Sequence, residues 1–184
     1  MEHWAPGEMV SAAMSGGEAE RERLIAAIWP RCFRLALTVI GDRDLAQDAA
    51  QEACVIVHRK LRGLRSAQSF ESWLYRIVMR EASRARRRNR PADVRGYEEF
   101  RGEEPAAAID VWSALARLAP ELRDVTVLFY FRDLKSDEIA SILRIPHATV
   151  RTRLGRARER LRAILGNYLD DPNSEAREVK QHAL

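Results

Sequence analysis

One proline, set between two stretches of helical hydrophobic spacing, constrains the C-terminal third of this chain more than any other feature. The segment Ser136-Asp137-Glu138-Ile139-Ala140 opens a helix, and Pro146 must end it. Proline has no N–H to donate, and its ring pushes Ile145 out of helical geometry, so the chain turns there before a new helix begins. In the first helix Ser136 is expected to accept a hydrogen bond from a free backbone N–H, while Asp137 and Glu138 favour the positive end of the helix dipole. Ile139, Ala140 and Leu143 are its expected buried side.

The second helix carries Val150, Leu154, Ala157, Leu161, Ile164 and Leu165 at steps of three and four, which gathers them into one apolar stripe. The opposite face holds Ala148, Thr152, Gly155, Arg156 and Glu159, with Arg151 on its flank. One face anchored in a core, short residues where a duplex must come close, and arginines able to grip phosphate or guanine edges are what a recognition helix needs. Arginines on a surface helix often do no more than solvate it. The tight turn before this one favours a helix-turn-helix that binds DNA.

Upstream, residues 18–40 read as a first helix bent near Pro30, closed by Gly41-Asp42. Residues 44–62 read as a long helix with Ala46, Ala50, Ala53, Cys54, Val57 and Leu61 inward and Asp48, Gln51, Glu52, Val55 and Arg59 outward. After a loop over 63–69, a third helix starts at Phe70-Glu71-Ser72-Trp73-Leu74-Tyr75 and ends in the basic run 84–90. By spacing, Phe70, Trp73, Leu74 and Ile77 belong to a core. Aromatic rings beside a basic helix end also suit stacking of unpaired bases. Periodicity then fades over 89–108, where Pro91, Gly96, Gly102, Pro105 and several acids collect as in a linker. Two further helices, over 111–118 and 121–132, lead into the helix-turn-helix, the second entered through Pro120 where proline is tolerated.

The chain of 184 residues has a net charge of only +4. Its arginines are nonetheless concentrated at 84–90 and 144–162, and such patches point to nucleic acid. Residues 1–17 lack a basic segment followed by an apolar core, and no stretch is apolar for long enough to span a bilayer, so a cytoplasmic protein without membrane insertion is expected. Cys32 and Cys54 read as buried free thiols rather than a redox pair. The histidines are dispersed, so no metal site or cofactor is expected. Neither paired carboxylates nor a nucleophile with its base can be recognised, which argues against an enzyme.

Three motifs in order carry a resemblance: Asp48-Ala49-Ala50-Gln51-Glu52-Ala53, then Ser72-Trp73-Leu74-Tyr75-Arg76-Ile77, then Asp137-Glu138-Ile139-Ala140 through Arg156-Ala157-Arg158. Over residues 22–165 the chain resembles the extracytoplasmic-function sigma factors of bacterial RNA polymerase. The resemblance implies an all-α protein of two small helical domains joined by a flexible linker. A disordered N-terminus is expected over 1–18, a domain binding polymerase and the minus-ten element over 19–90, a linker over 91–108, a minus-thirty-five reader over 109–168 and a polar tail over 169–184.

The same resemblance implies roles. Asp48, Gln51, Glu52 and Val55 would meet the clamp helices of the largest polymerase subunit, and the second-largest subunit is also an expected partner. The loop Arg65-Ser66-Ala67-Gln68-Ser69-Phe70 would capture a flipped base, with Tyr75, Arg76 and Arg80 along the melted strand. Flipping costs a few kcal/mol, which a stacking pocket can offset. The acidic linker would thread towards the RNA exit path. Thr149, Arg151, Thr152 and Arg156 would touch the minus-thirty-five element, with Arg153 and Arg158 on backbone phosphates. An anti-sigma factor is a further possible partner. The chain departs from the family pattern at Ala148, Gly155 and Arg80. The competing expectation is an operator-binding regulator that leaves the polymerase alone, but such a protein would carry a ligand pocket or dimerisation element in its N-terminal half.

Overall fold

The computed structural model describes residues 7–88, 111 and 113–169, with 166–169 by backbone alone. It is built of helices, and no β-strand occurs among the described residues. The expected linker over 91–108 and tail after 169 lie outside the described residues.

The first unit comprises α1 (Gly7–Ser15), α2 (Glu18–Ile40), α3 (Arg43–Lys60) and α4 (Phe70–Arg88). Helix α2 runs through Pro30 and stops where Gly41 adopts a left-handed φ of 79° and donates its N–H to Leu37 O at 2.8 Å. Glycine takes that conformation without the steric cost of a Cβ. One residue later the Asp42 carboxylate accepts from Leu45 N–H at 2.9 Å and starts α3. A connection this short forces α2 and α3 into an antiparallel hairpin, and α4 packs against both. The inward residues of α3 expected from spacing, Ala46, Ala50, Ala53, Cys54, Val57 and Leu61, are all buried. They meet Leu24, Ile28, Cys32 and Leu35 of α2 and Phe70, Leu74 and Val78 of α4. Each large side chain fully withdrawn from water contributes about 1.5–3 kcal/mol. Cys32 and Cys54 are free, buried thiols.

Residues 7–15 are helical, although no order was expected before residue 19. Val10 and Ala13, three apart on one face of α1, are buried against the shared core. The helix lies across α2 and the two 3-10 turns, Leu61–Gly63 and Ala67–Ser69, that frame the loop before α4. One short apolar face was too weak a periodic signal to read in isolation.

The second unit comprises helical backbone over 113–116, α5 (Pro120–Thr126), a π-helical turn (Val127–Phe131), α6 (Ser136–Leu143) and α7 (His147–Leu169). Pro120 occupies the first turn of α5. At α6 the capping differs from expectation. Ser136 makes no cap, and the Glu138 carboxylate accepts from Lys135 N–H at 2.8 Å. Lys135, not Ser136, stands at the N-cap, so the acid three residues on reaches the free donor. Ile139 and Ile142 are the buried residues of α6, whereas Ala140 and Leu143 are half-buried. The turn into α7 is made by Arg144 at a φ of 55° and by Pro146, whose carbonyl accepts from Thr149 and Val150. Val150, Leu154 and Ala157 face inward as spacing requires.

The two units do not stand apart. Val125, Leu128, Ile139, Ile142, Val150 and Leu154 belong to the same apolar cluster as the core of α2, α3 and α4, and α6 lies on α4.

Candidate nucleic-acid interface

Three surfaces gather the expected site residues. The first is the loop between α3 and α4. Ser69 N–H and Ser69 Oγ both donate to Ser66 O, at 3.2 and 2.8 Å, and Ser72 Oγ donates to Ser69 O at 3.2 Å, so the loop has a defined shape. It borders an open cavity of about 640 Å³ lined by Arg59, Lys60, Leu64, Arg65, Ser69, Ser72, Trp73 and Arg76. Four cations around one half-buried indole make a place where an unpaired base can stack while its phosphates are neutralised. Arg65 and Gln68 are exposed, and Ser66, Ala67 and Ser69 are half-buried.

Not every residue expected on this surface is at it. Phe70 is 2% exposed and packs near Trp73, with ring centroids 6.0 Å apart, so it supports the loop from inside. Tyr75 is 4% exposed: its hydroxyl donates to Glu71 Oε1 at 2.7 Å, and the Arg132 guanidinium lies 5.9 Å from its ring centroid. Burial, then the Glu71 carboxylate, push the Tyr75 phenol above its ordinary pKa. Arg80 is exposed and pairs with the buried Glu81 at 3.0 Å, which also holds Arg84. Arg59 and Lys60 line the cavity without having been expected there, and Trp73, expected in the core or in base stacking, is half-buried at its edge. The run His58-Arg59-Lys60 at the end of α3 was the available signal.

The second surface is α7. Arg151, Thr152 and Arg156 are exposed, and Thr149 and Arg153 are half-buried. Thr149, Thr152, Arg153 and Arg156 share a groove of about 470 Å³ with Ala148, Leu122 and Glu121. The Thr152 hydroxyl donates back to Ala148 O at 3.0 Å. A Cβ added at Gly155 would meet open space, so nothing inside the protein requires glycine there. Arg158 is exposed but already engaged: its Nε donates to the Tyr130 hydroxyl at 2.9 Å.

The third surface is on the α2–α3 hairpin. Asp48, Gln51, Glu52 and Val55 are all exposed on α3. Gln51 and Val55 border an apolar groove of about 630 Å³ with Ile25, Ala26, Trp29, Cys54 and His58. Trp29, 38% exposed, stacks on Phe33 at 5.4 Å and was not foreseen as part of this face. Glu18 accepts from His58 Nε2 at 2.7 Å and pairs with Arg21; these two partners hold its carboxyl below the usual range. Among the described residues no cluster of His, Cys, Asp and Glu is arranged for a metal, and no helix is long and apolar enough to cross a membrane.

Two family models match the chain, one after the other. The family model for Sigma-70 region 2 matches residues 24–92, and that for Sigma-70, region 4 matches residues 108–161. The RNA polymerase sigma-H factor of Pseudomonas aeruginosa is 28% identical over 172 residues, covering 83% of this chain and 89% of that protein. The ECF RNA polymerase sigma factor SigW of Bacillus subtilis is 30% identical over 155 residues, covering 73% of this chain and 83% of that protein. A solved structure of CnrH in complex with the cytosolic domain of CnrY superposes with a TM-score of 0.67 at 24% identity, covering 89% of this chain and 98% of that one, which is a likeness of fold. With the two regions in order on one chain and a relative of that name covered over most of its length, this protein belongs to the extracytoplasmic-function sigma factors, which bind RNA polymerase and recognise promoters.

Proposed function

We propose how the labour is divided among the three surfaces of this promoter-recognising, polymerase-binding factor. Asp48, Gln51, Glu52 and Val55, with Trp29 beside them, dock the clamp helices of the largest polymerase subunit. The basic cavity formed by Arg59, Lys60, Arg65, Trp73 and Arg76 captures a base flipped from the minus-ten element. Arg151, Thr152 and Arg156 read the minus-thirty-five duplex, and Arg153 holds backbone phosphate. The chain does no bond chemistry; it lowers the cost of opening the promoter by binding the unpaired strand.

The observation that supports this reading most directly is the cavity beside the loop. A site that reads only duplex DNA has no use for an indole ringed by four cations at the base of a defined loop. An operator-binding regulator is not favoured, because the first unit matches Sigma-70 region 2 rather than a ligand or dimerisation domain.

Two structural neighbours are described as complexes, CnrH with the cytosolic domain of CnrY and a Bartonella quintana sigma factor RpoE with the anti-sigma factor NepR. By extension, an anti-sigma partner of this chain would cover the apolar groove around Trp29 and Val55.

Run-off transcription with core polymerase from the native host, this protein and a library of promoter fragments tests the proposal. Protein-dependent transcripts from a sequence-defined subset are expected, and Trp73→Ala should abolish them while leaving polymerase association intact. Duplex binding without initiation or polymerase association would overturn the proposal.

A further inference from the structure

Cys32 and Cys54 stand far apart in the sequence, yet the α2–α3 hairpin brings their side chains together. Each is a free thiol, at 1% and 5% exposure, and both belong to the apolar cluster of the first unit. The two sulfurs share a hydrogen bond. No contact proposed above for promoter or polymerase uses either sulfur.

The two thiols differ in access. Cys54 borders the apolar groove with Trp29, Gln51, Val55 and His58, whereas Cys32 does not line it. Gln51, Cys54, Val55 and His58 recur at steps of three and four on one face of α3, and Trp29 precedes Cys32 by three residues on α2. A small oxidant entering the groove therefore meets Cys54 first, with Cys32 within hydrogen-bonding reach behind it. The hydrogen bond from Cys32 holds the Cys54 thiol below its ordinary pKa, against the opposing effect of burial. The thiolate is the attacking form of cysteine, and an oxidised cysteine beside a second thiol condenses with it to a disulfide.

We propose that Cys32 and Cys54 form a reversible oxidation site, in which peroxide reaching the groove converts the thiol pair to a disulfide and weakens polymerase docking on α3. In the first step the Cys54 thiolate attacks one oxygen of hydrogen peroxide. The O–O bond breaks, Cys54 becomes a sulfenic acid, and the other oxygen leaves as hydroxide, which takes up the proton given by the thiol to become water. In the second step the Cys32 sulfur attacks the Cys54 sulfur, the S–O bond breaks, and the hydroxyl leaves with the Cys32 proton as a second water. Two thiols are oxidised to one disulfide while one peroxide is reduced to two waters. Bonded sulfurs lie about 2.05 Å apart, closer than a hydrogen-bonded pair, so the bond draws α3 towards α2 beneath Gln51, Val55 and Trp29. The weakened docking rests on the role given above to this groove, whereas formation of the disulfide stands independently of it.

The test uses the full chain, reduced and then freed of reductant before hydrogen peroxide is added. After quenching with iodoacetamide in denaturant, mass spectrometry of wild type should find both cysteines blocked from alkylation and joined in one cross-linked peptide, and dithiothreitol should restore both. Cys32→Ala should stop at a sulfenic acid on Cys54 that dimedone traps, and Cys54→Ala should leave Cys32 alkylatable, with circular dichroism checking that helix content is kept. Two alkylatable thiols in peroxide-treated wild type, or disulfides only between chains, would overturn the site. Oxidised wild type, cleared of peroxide, should bind core polymerase roughly tenfold more weakly than reduced wild type in anisotropy titrations, the scale of losing one well-packed contact, and should recover in dithiothreitol. A disulfide with unchanged polymerase affinity would overturn the effect on docking, and would place the error in the role of the groove rather than in the thiol pair.

Discussion

Arg86 holds Asp124 by both arms of its guanidinium, Nη1 to Oδ1 at 2.8 Å and Nη2 to Oδ2 at 2.9 Å, across 38 residues of sequence and between the two units. Both side chains are more than four-fifths buried, at 18% and 14% exposure. A planar fork meeting a carboxylate is a geometry that lysine cannot reproduce. Arg86→Lys should therefore lower stability in urea denaturation by about 1–2 kcal/mol, although charge is conserved. An unchanged midpoint would show that one of the two bonds is enough.

Helix α1 packs against the two 3-10 turns of the loop over 61–69. Val10→Asp would place a charge where the side chain is 2% exposed. Amide hydrogen exchange should then quicken at Leu64 and Ser69, which donate within the loop, while the amides of α7 keep their protection. Uniform loss of protection throughout the chain would instead make α1 a general part of the core.

Gly155 sits inside a helix with open space where a Cβ would be. Gly155→Ala should stabilise the protein by about 0.5–1 kcal/mol, since alanine loses less backbone entropy on folding. The informative quantity is the accompanying change in affinity for duplex promoter DNA. Lower affinity together with a higher melting temperature would show that DNA, not the protein core, occupies that space.

Arg151 and Arg156 are exposed on α7 and free to reach a duplex, whereas Arg158 is tied to Tyr130. Alanine at Arg156 should cost about 1–3 kcal/mol of binding if the side chain contacts a base, with relaxed preference at one position. Alanine at Arg158 should change duplex affinity much less. Binding titrations over several salt concentrations separate the cases, because a lost phosphate contact lowers the salt slope by about one for every sequence alike.

Tyr75 ionises above the ordinary phenol value because it is buried and because it donates to Glu71. A group whose pKa is raised on folding contributes stability that is complete below the unfolded value and is lost as pH climbs through the folded one. Stability should therefore start to fall above about pH 10. Glu71→Gln removes the second of the two causes, so Tyr75 should titrate lower than in wild type while remaining above an exposed phenol. Phenolate absorbance followed against pH measures this.

Much of the fold could be read from local spacing. The inward positions of α3, the stop at Gly41 and the break at Pro146 each depend on residues within one or two turns of each other. Other features depended on distant residues. Ile142 is buried because α6 lies on α4, which the spacing of α6 by itself does not reveal. Phe70 and Tyr75 lie on a helix whose aromatic residues suited both core and base stacking, and packing from α3 and from Arg132 decided for burial. Arg158 belongs to a basic run that suggests phosphate, and its Nε donates to Tyr130, 28 residues upstream, a contact that the spacing of α7 does not reveal. For the capping of α6, one residue of difference in where the helix begins transferred the task from Ser136 to Glu138.

The π-helical turn at Val127–Phe131 carries a last consequence. A widened turn absorbs a surplus residue and delays the angular phase of everything after it by about 100° relative to an unbroken α-helix. Tyr130 and Phe131 emerge on the solvent side, 53% and 39% exposed, while Val127 and Leu128 stay inside. The same phase sets Tyr130 against Arg158 and brings Arg132 over Tyr75. Removing one residue from this turn would keep its composition nearly intact yet rotate both contacts out of alignment. Chain length at this turn is therefore under a constraint that neither hydrophobicity nor charge records.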